Sequence, residues 1–488
     1  MVSTQSRRLI TSEPPATPVR ESYRLRGDAI LSAGPNGSLT LRHSRFELAL
    51  PELGAGRSAV ILRLAERWLD DNEVSQLVEQ VEGEARILPA QLLLRRLIAH
   101  SWVQRRLDHD SSIVDIRPRG LGPDSQPRPV RHEPTTGYRL SQQTIIRADG
   151  DALIAYSPLS TVTVAFTGIR PAAILTLLAV GSQTVADIVA QTGLGRKFAE
   201  RLLDELVAAR VVESAADHAI HAVAPPHALW SPEELAVHER SRVGRHVQPV
   251  GGTYRFRGRV AAEPVRHPIP GAVSTALPRP DLDELARTEA PLTAVVGQRR
   301  SIRQHDDTRP ITRVQLAEFL YRVGRTWDVR EVDGQEIARR PYPTGGQICE
   351  MELYPLISRC ADVSPGLYHY DSVDHRLELI AETSPLADRM LRYARSAAAM
   401  AQVPQVLLIG TARMTRLMWK YEGLAYSMAL KNAGVLTGLM YLVATAMGLA
   451  PCGVGSGDAA AFAAMSGRDP LVEPSVADFL LGSRREPS

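Results

Sequence analysis

The N-terminal part of the chain repeats itself, and a repeat limits the fold to copies of one small unit. Tyr23-Arg24-Leu25 recurs as Tyr138-Arg139-Leu140, 115 residues on. Alternating, strand-like runs follow in both copies: 38–42 and 46–50 in the first, 152–156 and 162–166 in the second. An apolar helix comes next, around 59–62 in one copy and 172–175 in the other. A second helix is expected over 73–81 and 185–191, and a third over 89–102 and 197–209. The offset drifts from 115 to 113 to 109, as small differences in loop length produce. A few strands followed by three short helices read as a winged-helix-like domain, present twice.

Two stretches rich in Pro, Gly and Arg divide the sequence. They give a flexible tail at 1–20, a first winged-helix-like domain at 21–116 and a linker at 117–137. A second winged-helix-like domain follows at 138–221, then a connector at 222–290 and a C-terminal domain at 291–488. Inside the connector, Ser231 caps a short helix over 232–240.

The third helix of the second copy decides between DNA and peptide. It carries Lys197 and Arg201, but also Glu200, Asp204 and Glu205. A DNA reader needs a basic face to neutralise phosphates, and this one is near neutral. The whole chain has 57 basic and 54 acidic residues, a net charge of +3, which likewise gives no nucleic-acid signal. A peptide adding a strand to a sheet edge is the better-supported use of such a domain. Which copy holds it stays open.

Three cysteines, Cys349, Cys360 and Cys452, have no metal spacing, so no metal site is expected. With no apolar segment in 1–21, a reducing cytoplasm is the expected location. Residues 432–457 carry no charge. This run is long enough to span a bilayer, but its glycines and Pro451 suit a helix buried in a core or a dimer interface better than a membrane span.

The C-terminal region is denser in chemistry. Arg299, Arg300, Ser301 and Arg303 put three guanidinium groups and a hydroxyl into five residues, a phosphate-binding composition. Pro343-Thr344-Gly345-Gly346 is a turn whose glycines let backbone approach a flat ligand. A second glycine loop, Gly453-Val454-Gly455, closes the uncharged run, and Arg484 ends an apolar strand. Neither loop has the Walker or Rossmann pattern. Only three lysines occur, and one, Lys420, stands beside Tyr421 on an expected helix. Such a pair can act as base and acid.

In this order, Arg-Arg-Ser-x-Arg, Pro-Thr-Gly-Gly with Glu350 and Leu353-Tyr354-Pro355, residues 365–371, Trp-Lys-Tyr-Glu, the glycine loop and the final Gly-x-Arg resemble the SagB-type dehydrogenases of the nitroreductase superfamily. The N-terminal repeat is similar to the leader-recognition-like domains of cyanobactin-type oxidases. The resemblance implies an α+β fold, with a C-terminal nitroreductase-like FMN domain preceded by two winged-helix-like domains, the second of them leader-recognition-like. It implies oxidation of thiazoline or oxazoline rings to azoles in a ribosomally made peptide, with oxygen as final acceptor. It implies a homodimer, a precursor-peptide substrate and a cyclodehydratase partner, with neither nucleic acid nor membrane involved. Arg299, Arg300, Ser301, Arg303 and Arg484 are then expected at the FMN phosphate and ribityl end, Thr344, Gly345 and Gly346 at the ring edge, and Gly453, Val454 and Gly455 near N5. Lys420 or Tyr421 takes the proton. The family usually has Ser at position 344; threonine keeps the hydroxyl. A small-molecule nitro- or quinone-reductase and a DNA-binding flavin sensor are the competing functions.

Overall fold

The computed structural model describes residues 18–485 apart from 35–36, 44–45, 51–52, 121–131, 268 and 270. Most of the expected tail and the middle of the 117–137 linker therefore lie outside the described residues. The chain divides into two compact units, Met1–Pro249 and Val250–Ser488.

In the first unit, β1 (Arg20–Leu25) precedes a three-stranded antiparallel sheet of β2 (Ile30–Ala33), β3 (Leu39–His43) and β4 (Phe46–Leu50). Three helices follow, α1 (Ala55–Glu66), α2 (Asp71–Glu82) and α3 (Ile87–Ala99), with a short β5 (Leu69–Asp70) before α2. Asp70 and Glu73 close a capping box that starts α2. Ser101, at φ 64°, turns the chain after α3, so Trp102 is not helical as the sequence pattern expects. A hairpin of β6 (Val103–His109) and β7 (Ser112–Pro118) ends this copy. Arg117 and Pro118, expected as linker, thus belong to a strand.

The second copy repeats the order: β8 (Tyr138–Leu140), β9 (Ile145–Asp149), β10 (Ala152–Tyr156), β11 (Val162–Thr167), α4 (Ile169–Val180), α5 (Val185–Thr192), α6 (Arg196–Ala208) and β12 (Val212–Ser214). Thr184 and Asp187 box the start of α5 as Asp70 and Glu73 do for α2. On α6, Phe198, Ala199, Leu202, Leu203 and Leu206 are all buried on one helical stripe. One antiparallel sheet, ordered β5-β1-β6-β7-β11-β10-β9, joins the copies. Two helices, α7 (Ala215–His221) and the Ser231-capped α8 (Pro232–Arg240), complete the unit.

The second unit begins at Val250, so 250–290 is part of it rather than a connector. Its seven-stranded sheet has the order β14 (Ser274–Ala276), β19 (Arg376–Glu382), β18 (Gly366–Asp371), β17 (Met351–Ile357), β20 (Val406–Ala412), β23 (Ser475–Ser483) and β22 (Leu449–Val454), and every pairing is antiparallel. Alternation along the buried β17 divides two cores. Met351, Leu353 and Ile357 pack with α11 (Arg313–Gly324) and α14 (Ala425–Ala446). Tyr354 and Leu356 pack with α12 (Pro385–Ala397) and α15 (Ala459–Ser466). The remaining elements are β13 (Gly251–Gly252), α9 (Leu282–Thr288), α10 (Leu292–Gln298), the hairpin β15 (Trp327–Val332) and β16 (Gln335–Arg339), α13 (Met414–Lys420) and β21 (Tyr421–Glu422).

The uncharged run 432–457 is not one helix. It is the end of α14, a turn at Gly448 with φ 69°, and then β22. Gly453 and Val454 therefore belong to a strand and do not directly follow the helix. By length and composition α14 could cross a bilayer, yet Ala429, Ala433, Leu436, Met440 and Ala444 on one side are buried in the protein core.

On the α12 side of the sheet lies a buried ionic group. His369 Nδ1 is 2.9 Å from Glu378 Oε2, and its Nε2 is 3.3 Å from Glu352 Oε2. Burial opposes the charged ring, but the hydrogen bonds and charges of Glu352 and Glu378 outweigh it and raise the His369 pKa from 6.5 to about 9. Burial likewise opposes the Glu352 carboxylate, yet His369 and Arg340 bring its pKa down from 4.5 to about 2. A raised histidine stabilises fully below 6.5 and stops doing so as pH climbs through 9; a depressed glutamate stabilises fully above 4.5 and fades toward 2. The melting temperature of this unit is therefore expected to be highest between pH 4.5 and 6.5 and to fall between pH 6.5 and 9. A His369→Gln variant should be less stable and lose that alkaline slope. Calorimetry showing the same slope in the variant would rule the group out as its source.

Candidate active site

The Pro343–Gly346 turn is held in an uncommon conformation. Gly346, Gln347 and Cys349 have φ of 61°, 58° and 53°, and the last two are in a region that side chains disfavour. The Thr344 hydroxyl accepts the Cys349 N–H at 3.2 Å, closing the turn from inside. Arg416, wholly buried on α13, donates through Nε and Nη2 to the Ile348 carbonyl at 2.8 and 2.7 Å. The same guanidinium reaches the carbonyls of Glu263 and Glu336. Burial first, and Arg413 second, bring the Arg416 pKa down to about 10. Arg416 uses its planar fork here as a clamp on backbone.

Lys420 and Tyr421 close over this turn. A Cβ placed on Gly346 would collide with the Tyr421 hydroxyl and lie 3.0 Å from Lys420 Nζ. A Cβ on Gly345 would run into Met428 of α14. Both glycines are needed because side chains already fill the space beside them. The sequence pattern places Lys420 and Tyr421 together on one helix. Instead Lys420 is the last residue of α13, and Tyr421 begins β21. The chain straightens between them because Gly251 and Gly252 pair with Glu422 and Tyr421 as an antiparallel ribbon. Lys420 Nζ lies 5.5 Å from the centroid of the Tyr254 ring and 5.4 Å from that of Tyr421, within cation–π range.

The arginine cluster forms a second centre. Ile302 donates to the Pro451 carbonyl at 2.8 Å, which ties the 299–303 segment to β22. The Tyr441 hydroxyl, on α14, sits 2.8 Å from Ser301 Oγ and accepts the Gly453 N–H at 2.7 Å. The Arg299 guanidinium covers the Tyr441 ring at 5.2 Å. A backbone bridge between His305 and Arg484 brings the last strand beside the same segment. Arg300, Arg303 and Arg484 are exposed, with no ion pair or side-chain hydrogen bond among the described residues. Unpaired guanidinium groups beside glycine backbone suit an anion. Val454 is half-buried, and Gly455 is exposed.

The two centres share α14, but not one spot on it. Met428 and Tyr441 are thirteen residues apart, about 20 Å along the helix. The sequence reading treated all these residues as one site; the structure groups 344–346 with 420–421, and 299–303 with 453 and 484. Tyr441 and Arg416 were missed. Tyr441 looks like one more apolar residue in an uncharged run, and Arg416 like one arginine among many.

Residues 296–477 match the model of the nitroreductase family, and residues 138–247 match that of the cyanobactin oxidase ThcOx. A nitroreductase-family domain thus lies within the second unit. The match to the cyanobactin oxidase model lies within the first unit. No curated protein matches it. Among solved structures, a candidate nitroreductase from Anabaena variabilis is similar at 20% identity and a TM-score of 0.35, covering 50% of this chain and 45% of its own. A candidate nitroreductase from Ralstonia eutropha has 22% identity and a TM-score of 0.34, with 46% and 100% covered. An Escherichia coli microcin synthetase McbBCD complex with truncated pro-MccB17 bound has 19% identity and a TM-score of 0.33, with 48% and 88% covered. The chain spans less than half the length of the Anabaena structure.

Proposed function

We propose that the protein is an FMN-dependent dehydrogenase that oxidises thiazoline or oxazoline rings to azoles in a ribosomally made peptide. The observation that carries this reading is the convergence of the Tyr421 hydroxyl and Lys420 amine on Gly346, beside a turn with exposed backbone. FMN, when bound, supplies the hydride acceptor. The residues fit such a group: Gly346 is exposed beside Lys420 and Tyr421, and Arg300, Arg303 and Arg484 offer cations unpaired among the described residues for its phosphate. Aromatisation of an azoline removes a proton from one ring carbon and a hydride from its neighbour. Tyr421 Oη or Lys420 Nζ takes the proton.

The site is completed by a second copy of the chain. Its two centres lie at different ends of α14, and that helix exposes Tyr426, Leu430 and Val435, each more than 40% accessible. Light scattering should give a dimer, and a flavin-bound monomer at low micromolar concentration would contradict this. A precursor peptide is the expected substrate and a cyclodehydratase the expected partner. A DNA-reading role has little support. On α6, Arg201 is paired with Glu205 and Glu21, and Arg196 with Glu200, so those cations are not free for phosphates.

The decisive experiment is mass spectrometry of an azoline-bearing peptide incubated with the purified protein. Loss of two hydrogens per ring is expected. An unchanged peptide, alongside NAD(P)H-driven reduction of nitroaromatics, would favour the small-molecule reductase.

A further inference from the structure

The segment 253–257 runs beside Lys420 as a strap, and it is fixed at both ends. Before it, Gly251 and Gly252 pair with Glu422 and Tyr421. Beyond it, the Trp419 indole N–H donates to the Val260 carbonyl at 2.8 Å. Within it, the Tyr254 N–H donates to the Lys420 carbonyl at 3.1 Å. Tyr254 has φ 51°, a conformation that a bulky side chain adopts only when its surroundings impose it. Here the surroundings hold the ring. The Tyr254 hydroxyl donates to Asp333 Oδ2 at 3.2 Å, the Arg257 guanidinium covers the ring at 4.3 Å, and the Trp419 ring meets it edge-on at 5.9 Å.

The strap also occupies two acids. Glu422, which follows the Lys–Tyr pair directly, accepts the Thr253 hydroxyl at 3.0 Å and Arg255 at 3.4 Å. Asp333 accepts the Tyr254 hydroxyl and pairs with Arg257 at 3.5 Å. Lys420 is left without a carboxylate. Its half-buried amine has neither an ion pair nor a hydrogen bond among the described residues. What faces it are the rings of Tyr254 at 5.5 Å and Tyr421 at 5.4 Å. A ring face attracts an ammonium while leaving its N–H groups free for other partners.

We propose that Tyr254 is a positioning residue for the azoline oxidation: its ring holds the Lys420 amine beside Gly346, while the strap keeps Glu422 and Asp333 from pairing with that amine. The inference rests on the reading of Lys420 and Tyr421 as the proton-handling pair, and it adds a third side chain that acts through Lys420. A lysine bound to a carboxylate stays protonated and has its charge neutralised, so it can neither take a proton nor steady a neighbouring negative charge. The aromatic contact avoids both outcomes. It fixes the amine in place, next to the Tyr421 hydroxyl at Gly346, and leaves it uncommitted.

The test is a double-mutant cycle on the full chain loaded with flavin, read as turnover of an azoline-bearing peptide. Tyr254→Leu should lower kcat about tenfold, the size of one cation–π contact in a partly dry site, with KM and flavin content little changed. Tyr254→Phe keeps the ring and loses only the Asp333 contact, so it should recover most of that loss. In a Lys420→Ala background, Tyr254→Leu should add no further loss, because a residue that acts through Lys420 has nothing left to act on. A second readout needs no turnover. Only three lysines occur, so labelling of Lys420 by an amine-acylating reagent can be followed by mass spectrometry. It should quicken in Tyr254→Leu and not in Tyr254→Phe. Equal losses in both backgrounds, normal turnover in Tyr254→Leu, a Tyr254→Phe as slow as Tyr254→Leu, or labelling unmoved by Tyr254→Leu overturns the proposal. Near-normal turnover in Lys420→Ala instead sinks the reading of the pair, and this inference with it. A slow Lys420→Ala beside a normal Tyr254→Leu removes Tyr254 alone.

Discussion

Tyr421→Phe and Lys420→Ala are each expected to slow azoline oxidation by about 10²–10⁴-fold, the usual cost of removing a proton acceptor. Both variants should keep their fold and flavin content, because neither side chain belongs to the arginine centre around Tyr441. The two residues are neighbours in sequence, and on a continuous helix they would diverge by about 100°. The break from α13 into β21 removes that divergence and lets both face Gly346. Gly346→Ala tests the same geometry from the other side. Alanine must adopt φ near 61° and push its methyl into the Tyr421 hydroxyl, so the proton acceptor is displaced. Turnover measured at known flavin occupancy separates the outcomes. Near-normal turnover in both Tyr421→Phe and Lys420→Ala would assign the proton to another group.

Arg416→Met should produce the largest loss of stability. The methionine fills space but strands the carbonyls of Ile348, Glu263 and Glu336 without their donor. At about 1–3 kcal/mol for each buried unsatisfied group, the loss is at least about 3 kcal/mol. For a unit of this size that lowers the melting temperature by roughly 6 °C or more. Ile348 stands two residues beyond Gly346, so the strained turn should relax and the flavin should be lost with it. Arg416→Lys should rescue little, since an ammonium cannot span three carbonyls lying on different segments. Calorimetry and flavin fluorescence read the two effects. A variant with wild-type melting and wild-type flavin content would show that the turn holds itself.

Much of the local structure was legible in the chain. The period of apolar residues located α5 and α6 to within a residue or two, because one face of a helix must be buried wherever its partner lies. The Ser231 cap marked a helix start, since it satisfies an N–H group within a few residues. The Arg299–Arg303 and Pro343–Gly346 segments stood out because several chemical groups are neighbours in sequence. The break after Ala446 was not legible, as an uncharged run suits a buried helix and a buried strand alike.

The sequence by itself determined that two copies of a small unit precede a domain with an arginine cluster, two glycine loops and a rare Lys–Tyr pair. Only the tertiary structure decided which of these meet. It brought Gly346 to Lys420 and Tyr421 across some seventy residues, set Arg416 against Ile348, and joined Ser301 to Gly453 through Tyr441. It also laid β7 along β11. Periodicity reports that a face is buried, whereas strand pairing and side-chain convergence depend on which distant segment covers it. That choice is made by the packing of the whole unit, and no short stretch of sequence carries it.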